Sequence, residues 1–253
     1  MPTDGAARQP KYQRIAAALK DAIAAGEYGP GDRLPGENDL MAAYGVARMT
    51  ARQALGVLQA EGLTEARKGA GVFVREFRPI RRRGIQRLSA DLWSEGRSIW
   101  EADTEDRPTV VEFLGVTQEA VTVAVATVLG MASGAPACVR RRRFLLDGKP
   151  VLLATSHLDA ALVAGTPITE ADTGPGGIYA RLAEIGHKPA RFREEVRSRM
   201  PSAEEAEALG LAAGTPVVLI CRTALTADGR AVEVNEMVLD SAAYVLEYEF
   251  DAP

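Results

Sequence analysis

Arg48 and Arg52 stand one helical turn apart in the segment GVARMTARQAL (residues 45–55), with Met49 and Thr50 between them. A guanidinium is a planar fork of donors that matches the O6/N7 edge of guanine and, equally, two oxygens of a phosphate. Thr50 adds a hydroxyl at the helix start, where backbone amides favour anions. Ala51, Leu55 and Leu58 follow the i, i+4, i+7 spacing of a buried face on the other side. A solvated helix face carries arginines too, so the chemistry is decided by the surrounding elements.

Those elements are short and clearly punctuated. In YQRIAAALKDAIAAG, Ile15, Leu19, Ala22 and Ile23 recur at helical spacing, Gly26 supplies a stop, and Gly29-Pro30-Gly31 forces a turn. A second helix follows in PGENDLMAAYG. Pro35 sets its entry, Glu37 and Asp39 favour its positive end, and Leu40, Met41 and Tyr44 form its apolar side. Gly45 breaks it, and a third helix runs from about Met49 to Glu61. Two helices joined by a three- to four-residue turn containing glycine form a helix-turn-helix, whose second helix enters the major groove of duplex DNA. Strands over Leu63–Arg67 and Val72–Arg75 flank Lys68-Gly69-Ala70-Gly71, a hairpin with a positive tip. After a helix-turn-helix, such a hairpin reads as a wing whose tip lies along the neighbouring minor groove.

The stretch RLPGENDLMAAYGVARMTARQALGVLQAEGLTEARKGAGVFV resembles the DNA-binding domain of the GntR family of bacterial transcription regulators. The resemblance covers roughly residues 10–77. It rests on the leucine-proline with Glu37 two residues on, Gly45-Val46, Arg48, Thr50, Arg52, Ala54-Leu55, Glu61-Gly62-Leu63, and Gly69 and Gly71 before Val72-Phe73-Val74. It implies operator recognition by Arg48, Met49, Thr50 and Arg52, with Lys68 and Gly69 at the wing tip. Gly36 stands where the family often has serine, and Asn38, a further candidate DNA contact, where it often has arginine.

Charge is distributed unevenly. Residues 1–83 hold 14 Lys/Arg and 9 Asp/Glu; the remainder holds 16 and 25. A basic N-terminal third on an acidic remainder points to a polyanion partner for one part, although clustering of surface charge produces the same count. No apolar run is long enough to span a membrane, and MPTDGAARQPKYQ has no secretory h-region. Cys138 and Cys221 lie far apart in apolar segments and read as reduced thiols of a cytoplasmic protein. His157 and His187 are the only histidines. No nucleophile–histidine spacing and no metal-ligand cluster stands out, so neither an enzyme nor a metal or cofactor is expected.

REFRPIRRRGIQR, with Arg75, Arg78, Arg81, Arg82, Arg83 and Arg87, is the expected boundary. It reads equally as a solvated linker or as a segment touching flanking phosphates. Beyond it, RLSADLWSEG reads as a short helix or turn, and PTVVEFLGV and VTVAVATVLGM as strands or near-continuous apolar segments. PACVRRRRFLLDGKPVLLATSHL reads as a hairpin about Asp147-Gly148. Its arginines alternate: Arg140 and Arg142 share one side with Phe144, Arg141 and Arg143 the other. One set must face inward or be a partly wet edge. A buried guanidinium needs an anionic partner, either a carboxylate such as Glu233 or an acidic ligand. GPGGIYARLAEIG feeds a helix with Ile178, Leu182 and Ile185 inward. SAEEAEALG carries a capping-box spacing, Ser202 to Glu205. A last hairpin turns at Asp228-Gly229, and AAYVLEYEF is expected to close the sheet.

Residues 84–250 resemble the UTRA effector-binding domain of the HutC subfamily of GntR regulators. The motifs are the arginine-rich strand into Asp147-Gly148-Lys149-Pro150, Gly177-Ile178-Tyr179, and Asp228-Gly229 followed by Glu233. The resemblance implies an α+β chain, with a winged helix-turn-helix domain (8–77), a linker (78–86) and a chorismate-lyase-like antiparallel sheet with helices (87–251). It implies a homodimer on a palindromic double-stranded operator, and a small-molecule effector. Arg142, Tyr179 and Glu233 match the family's effector contacts, with Ser89 and Tyr244 as weaker matches. Phe144 stands where sugar-phosphate binders have a second arginine, Ala154 where they have glutamate, His157 where they have tyrosine, and Gly177 where they have serine. These replacements imply an apolar or amphipathic effector with a single anionic or acceptor group.

Overall fold

The computed structural model describes residues 10–76, 79–84, 86–89, 91, 93, 95–96, 99–100, 103–104 and 107–250. The chain divides into two compact units, the first made mainly of residues up to 78 and the second mainly of residues from 79 onward.

In the first unit α1 (Lys11–Ala24), α2 (Glu37–Tyr44) and α3 (Arg48–Ala60) surround one apolar cluster. Ile15 and Leu19 of α1, Leu40 of α2 and Ala51, Ala54, Leu55 and Leu58 of α3 are buried there. Burying each leucine contributes about 2 kcal/mol. Gly45 caps α2 with φ 58°, a left-handed turn that glycine takes without steric cost and that redirects the chain into α3. Asp39 Oδ2 accepts the Gly36 amide at 2.9 Å, so the first turn of α2 keeps one half of a capping box although position 36 has no side chain. β1 (Thr64–Arg67) and β2 (Gly71–Val74) form the expected antiparallel hairpin.

The second unit is built on a six-stranded antiparallel sheet in the order β4-β5-β6-β9-β8-β7. Its strands are β4 (Thr109–Ala120), β5 (Pro136–Leu146), β6 (Lys149–Asp159), β7 (Arg191–Arg199), β8 (Val217–Leu225) and β9 (Ala231–Asp240). The hairpins about Asp147-Gly148 and Asp228-Gly229 join β5 to β6 and β8 to β9, as their sequences require. α6 (Gly177–Glu184), which follows a single-turn α5 (Ala160–Val163), buries Ile178, Tyr179 and Leu182. α7 (Ala203–Leu209) carries the full capping box: Ser202 Oγ accepts the Glu205 amide, and Glu205 Oε2 accepts the Ser202 amide.

Two segments differ from the sequence expectation, and one strand lies outside it. VTVAVATVLGM forms α4 (Val123–Leu129), not a strand, because Thr122 caps its start and Gly130 ends it in a left-handed turn. A continuous apolar run fits a buried strand and a buried helix equally, and the capping residues decide. AAYVLEYEF does not close the large sheet. β10 (Tyr244–Glu247) pairs instead, in parallel, with β3 (Ile80–Arg83), so part of the expected linker is ordered strand. RFREEVRSR forms the edge strand β7, whose exposed charged face hides its alternation. The RLSADLWSEG segment and Arg78 fall partly or wholly outside the described residues. Among the described residues no helix is long and apolar enough to cross a membrane.

Candidate nucleic-acid interface and effector pocket

α3 separates its two faces as its spacing demands. Ala51 and Leu58 are fully buried, whereas the side chains of Arg48 and Arg52 are about 60% exposed. Met49 is exposed beside them and Thr50 half-buried. Ala47 offers no side-chain acceptor, so no side chain caps the first amides of α3. The two arginines are held in place by α2. Arg52 donates from Nε and Nη2 to the Glu37 carboxylate at 2.7 and 3.2 Å. Arg48 donates to Asn38 Oδ1 at 3.1 Å and lies 3.7 Å from Glu37. The Arg52 hydrogen bond, with both cations nearby, holds the Glu37 carboxyl below the usual carboxylate range. Lys68 and Gly69 are exposed at the hairpin tip, and Gly69 takes φ 75° there.

The second unit contains a cavity of about 540 Å³ over one face of the sheet. Strand alternation and register build it. On β5, Arg140, Arg142 and Phe144 face it, while Arg141 and Arg143 turn away to pair with Glu119 and Glu112. On β9 the alternate residues Glu233, Asn235 and Met237 line it. The register sets Asn235 beside Arg222 of β8 and Glu233 beside Ala224. Trp100 and Phe113 add aromatic wall, and Gly174–Gly177 lead into α6, which places Tyr179.

Its polar groups are linked rather than scattered. Glu194 of β7 accepts from Arg222 Nε at 2.8 Å and from both terminal nitrogens of Arg82, one of them at 2.8 Å. Arg222 also reaches the Tyr179 hydroxyl at 3.5 Å, and burial together with the neighbouring Glu233 carboxylate pushes that hydroxyl up. Burial would raise the Glu194 carboxyl, but the two guanidiniums outweigh it and hold it at about 2. Burial also lowers Arg142, against the pull of Glu233, and brings Arg140 to about 10. Arg140 is tied to the carbonyls of Ile168, Glu170 and Ala171 and lies over the Phe113 ring. Arg142 donates to Ser156 Oγ at 3.0 Å. Arg142 Nε, Arg222 Nη2, Glu233 Oε2 and Asn235 Oδ1 are buried and find no partner among the described residues. A buried polar atom without a partner costs about 1–3 kcal/mol, and a polar ligand in the cavity would satisfy these four.

Five of the eight expected effector contacts line the cavity: Arg142, Phe144, Gly177, Tyr179 and Glu233. Three do not. His157 lies on the face of β6 opposite Ala154 and Ser156, where its Nε2 is 3.0 Å from Glu236. Tyr244 sits on β10 in the apolar cluster beside Trp100, and Ser89 is half-buried outside the cavity wall. Arg222 and Asn235 were not singled out by sequence. The lone charge in the apolar run VVLICRTAL marked the first, and the parity of Glu233 marked the second. Arg82, expected on a linker that is either solvated or within reach of phosphate, is 1% exposed and paired with Glu194.

Comparison with known proteins agrees with both halves. Residues 11–74 match the model for bacterial regulatory proteins of the gntR family, and residues 105–244 match the UTRA domain. An uncharacterized HTH-type transcriptional regulator of Streptomyces coelicolor is 33% identical over 98% of this chain and 95% of its own. The HTH-type transcriptional repressor NagR of Bacillus subtilis is 29% identical over 96% of this chain and 95% of its own. The crystal structure of PhnF from Mycobacterium smegmatis superposes with a TM-score of 0.59 at 26% identity, covering 94% of this chain and all of that one. The chain therefore belongs to the GntR family of bacterial transcriptional regulators, with a DNA-binding winged helix-turn-helix domain followed by a UTRA effector domain.

Proposed function

We propose that this protein is a non-enzymatic, cytoplasmic repressor of the HutC subfamily. It binds a palindromic operator as a homodimer and changes its grip when a small acidic, amphipathic metabolite enters the UTRA cavity. Arg48, Met49, Thr50 and Arg52 read the major groove, Asn38 supports Arg48, and Lys68 and Gly69 meet the backbone from the wing. Two half-sites follow from the two-fold logic of helix-turn-helix proteins. The repressor role draws on the Bacillus subtilis relative, which bears that name. The ligand chemistry is carried by one observation: unpartnered buried donors on Arg142 and Arg222 share a cavity with Trp100, Phe113 and Phe144. A carboxylate or phosphate meets the donors, and an apolar body fills the aromatic wall.

The test uses the full-length protein and a duplex it selects from a random pool. Affinity for that duplex is measured with and without arylalkyl carboxylates such as 3-phenylpropionate, and with sugar phosphates for contrast. The amphipathic carboxylate is expected to shift the affinity. Arg142→Ala is expected to bind the duplex normally and to lose that shift. A normal dose response in Arg142→Ala would place the effector elsewhere.

A further inference from the structure

Arg82 lies on β3, the first strand after the winged helix-turn-helix, yet its charge is spent inside the effector unit. Glu194 stands between it and the cavity. Its Oε1 accepts from both Arg82 Nη2 and Arg222 Nε, and its Oε2 accepts from Arg82 Nη1 at 2.8 Å. Arg222 continues to Tyr179, Glu233 lies beside that hydroxyl, and Arg222 Nη2 and Glu233 Oε2 are unpartnered among the described residues in the cavity wall. β3 is also held by the backbone pairing with β10, by Ile80 and Gly84 amides bonded to Ala243 and Glu247, by exposed ion pairs of Arg81 and Arg83 with Glu247, by Ile80 in the apolar cluster, and by the Tyr248 ring packed on Gly84.

We infer that ligand binding in the cavity and the seating of β3 are coupled through Arg82–Glu194–Arg222, with an anion on Arg222 tightening β3 onto its seat. The reading rests on the cavity being the effector site. One carboxylate shared by two guanidiniums holds each less firmly than it would hold either alone. An anion on Arg222 Nη2 satisfies that guanidinium from the other side and leaves Glu194 to Arg82. The converse holds by linkage: when Arg82 leaves, Glu194 neutralises Arg222 fully and the cavity attracts an anion less. Occupancy of the pocket is thereby read at the strand through which the chain passes from one unit to the other. Arg82 is a positioning residue in this scheme and touches no ligand.

Two readouts on the full-length protein test the coupling, with 3-phenylpropionate and inorganic phosphate as probes. In the wild type, amide hydrogen exchange over residues 80–83 is expected to slow on saturation with a probe. By calorimetry, Arg82→Gln is expected to bind the probe about tenfold more weakly, Arg82→Lys within about threefold of wild type, and Glu194→Gln more tightly. Arg81→Gln, which loses only a solvent-exposed ion pair to Glu247 and has no contact with Glu194, is expected to bind within about twofold of wild type. The double variant Arg82→Gln/Glu194→Gln should bind no more weakly than Glu194→Gln alone, because the route runs through the carboxylate. Through-space attraction would instead leave the double variant weaker than Glu194→Gln by the full Arg82→Gln loss, and that additivity would overturn the inference. So would unchanged exchange in β3 of the saturated wild type, a measurement that needs no variant to fold. If neither probe binds, the anion site and the coupling fall together. Failure to bind DNA would overturn the regulator assignment and leave the coupling standing.

Discussion

Arg52→Ala should damage operator binding more than Arg48→Ala, because of Glu37. In the free protein the Glu37 carboxylate is gripped twice by Arg52, at 2.7 and 3.2 Å, and only approached by Arg48, at 3.7 Å. Loss of an arginine that reads a guanine lowers affinity about 5- to 150-fold. Arg52→Ala adds a second penalty, since a carboxylate held ionised by its position is left bare where phosphates approach. For exposed charges screened at physiological salt this is worth about twofold to fivefold more. The assay is fluorescence anisotropy of the selected duplex, at fixed salt, with Arg48→Ala, Arg52→Ala, Glu37→Gln and Glu37→Gln/Arg52→Ala. All these positions are on the solvent side, so melting temperatures should stay at the wild-type value. The double variant should recover the twofold to fivefold factor and no more. Equal losses in the two arginine variants, or a double variant no better than Arg52→Ala, would refute the role given to Glu37. Wild-type affinity in both single arginine variants would remove α3 from the groove.

Two further outcomes follow from charges at the wing and beneath the cavity. If Lys68 neutralises one phosphate in each half-site, the slope of log affinity against log salt should flatten by about two units in Lys68→Ala, and an unchanged slope would take the wing tip off the backbone. Glu194 has its carboxyl at about 2 in the folded protein against 4.5 ordinarily, so its ion pairs stabilise fully above pH 4.5 and lose that contribution as pH falls towards 2. Denaturant unfolding should show the stability gap between wild type and Glu194→Gln narrowing across that window, and a gap that stays constant would refute the ion-pair assignment.

The first unit was legible because its determinants are local. Helical spacing in α1 and α3, glycine at position 45 and the Lys68–Gly71 turn each act within a few residues, and the family resemblance falls on the same positions. In the second unit the D-G turns and the Ser202–Glu205 box were legible for the same reason. What escaped depends on distant partners. The parallel pairing of β3 with β10 joins the two ends of the unit, and no local signal announces it. β7 offers few apolar residues because it is an edge with one wet face. The misplacement of His157 has a simpler origin: period-2 alternation along β6 puts it opposite Ala154 and Ser156, so resemblance suggested a contact that strand parity forbids.

The cavity also explains why the sheet carries so much buried charge. Arg142 and Arg222 stand in β5 and β8, where apolar residues would pack without a desolvation penalty. Register makes their positions all-or-none, because a slip of one residue on β8 would turn Arg222 out and Cys221 in. Glu194 and Glu233 offset the penalty only in part, since Arg222 Nη2 and Arg142 Nε remain buried and unpartnered among the described residues. A fold selected for stability alone gains nothing from such groups. On the reading proposed above, a fold that must tell an occupied pocket from an empty one gains a site with unmet donors and acceptors, joined by Arg222 and Glu194 to Arg82 on the strand that leads back to the DNA-binding unit.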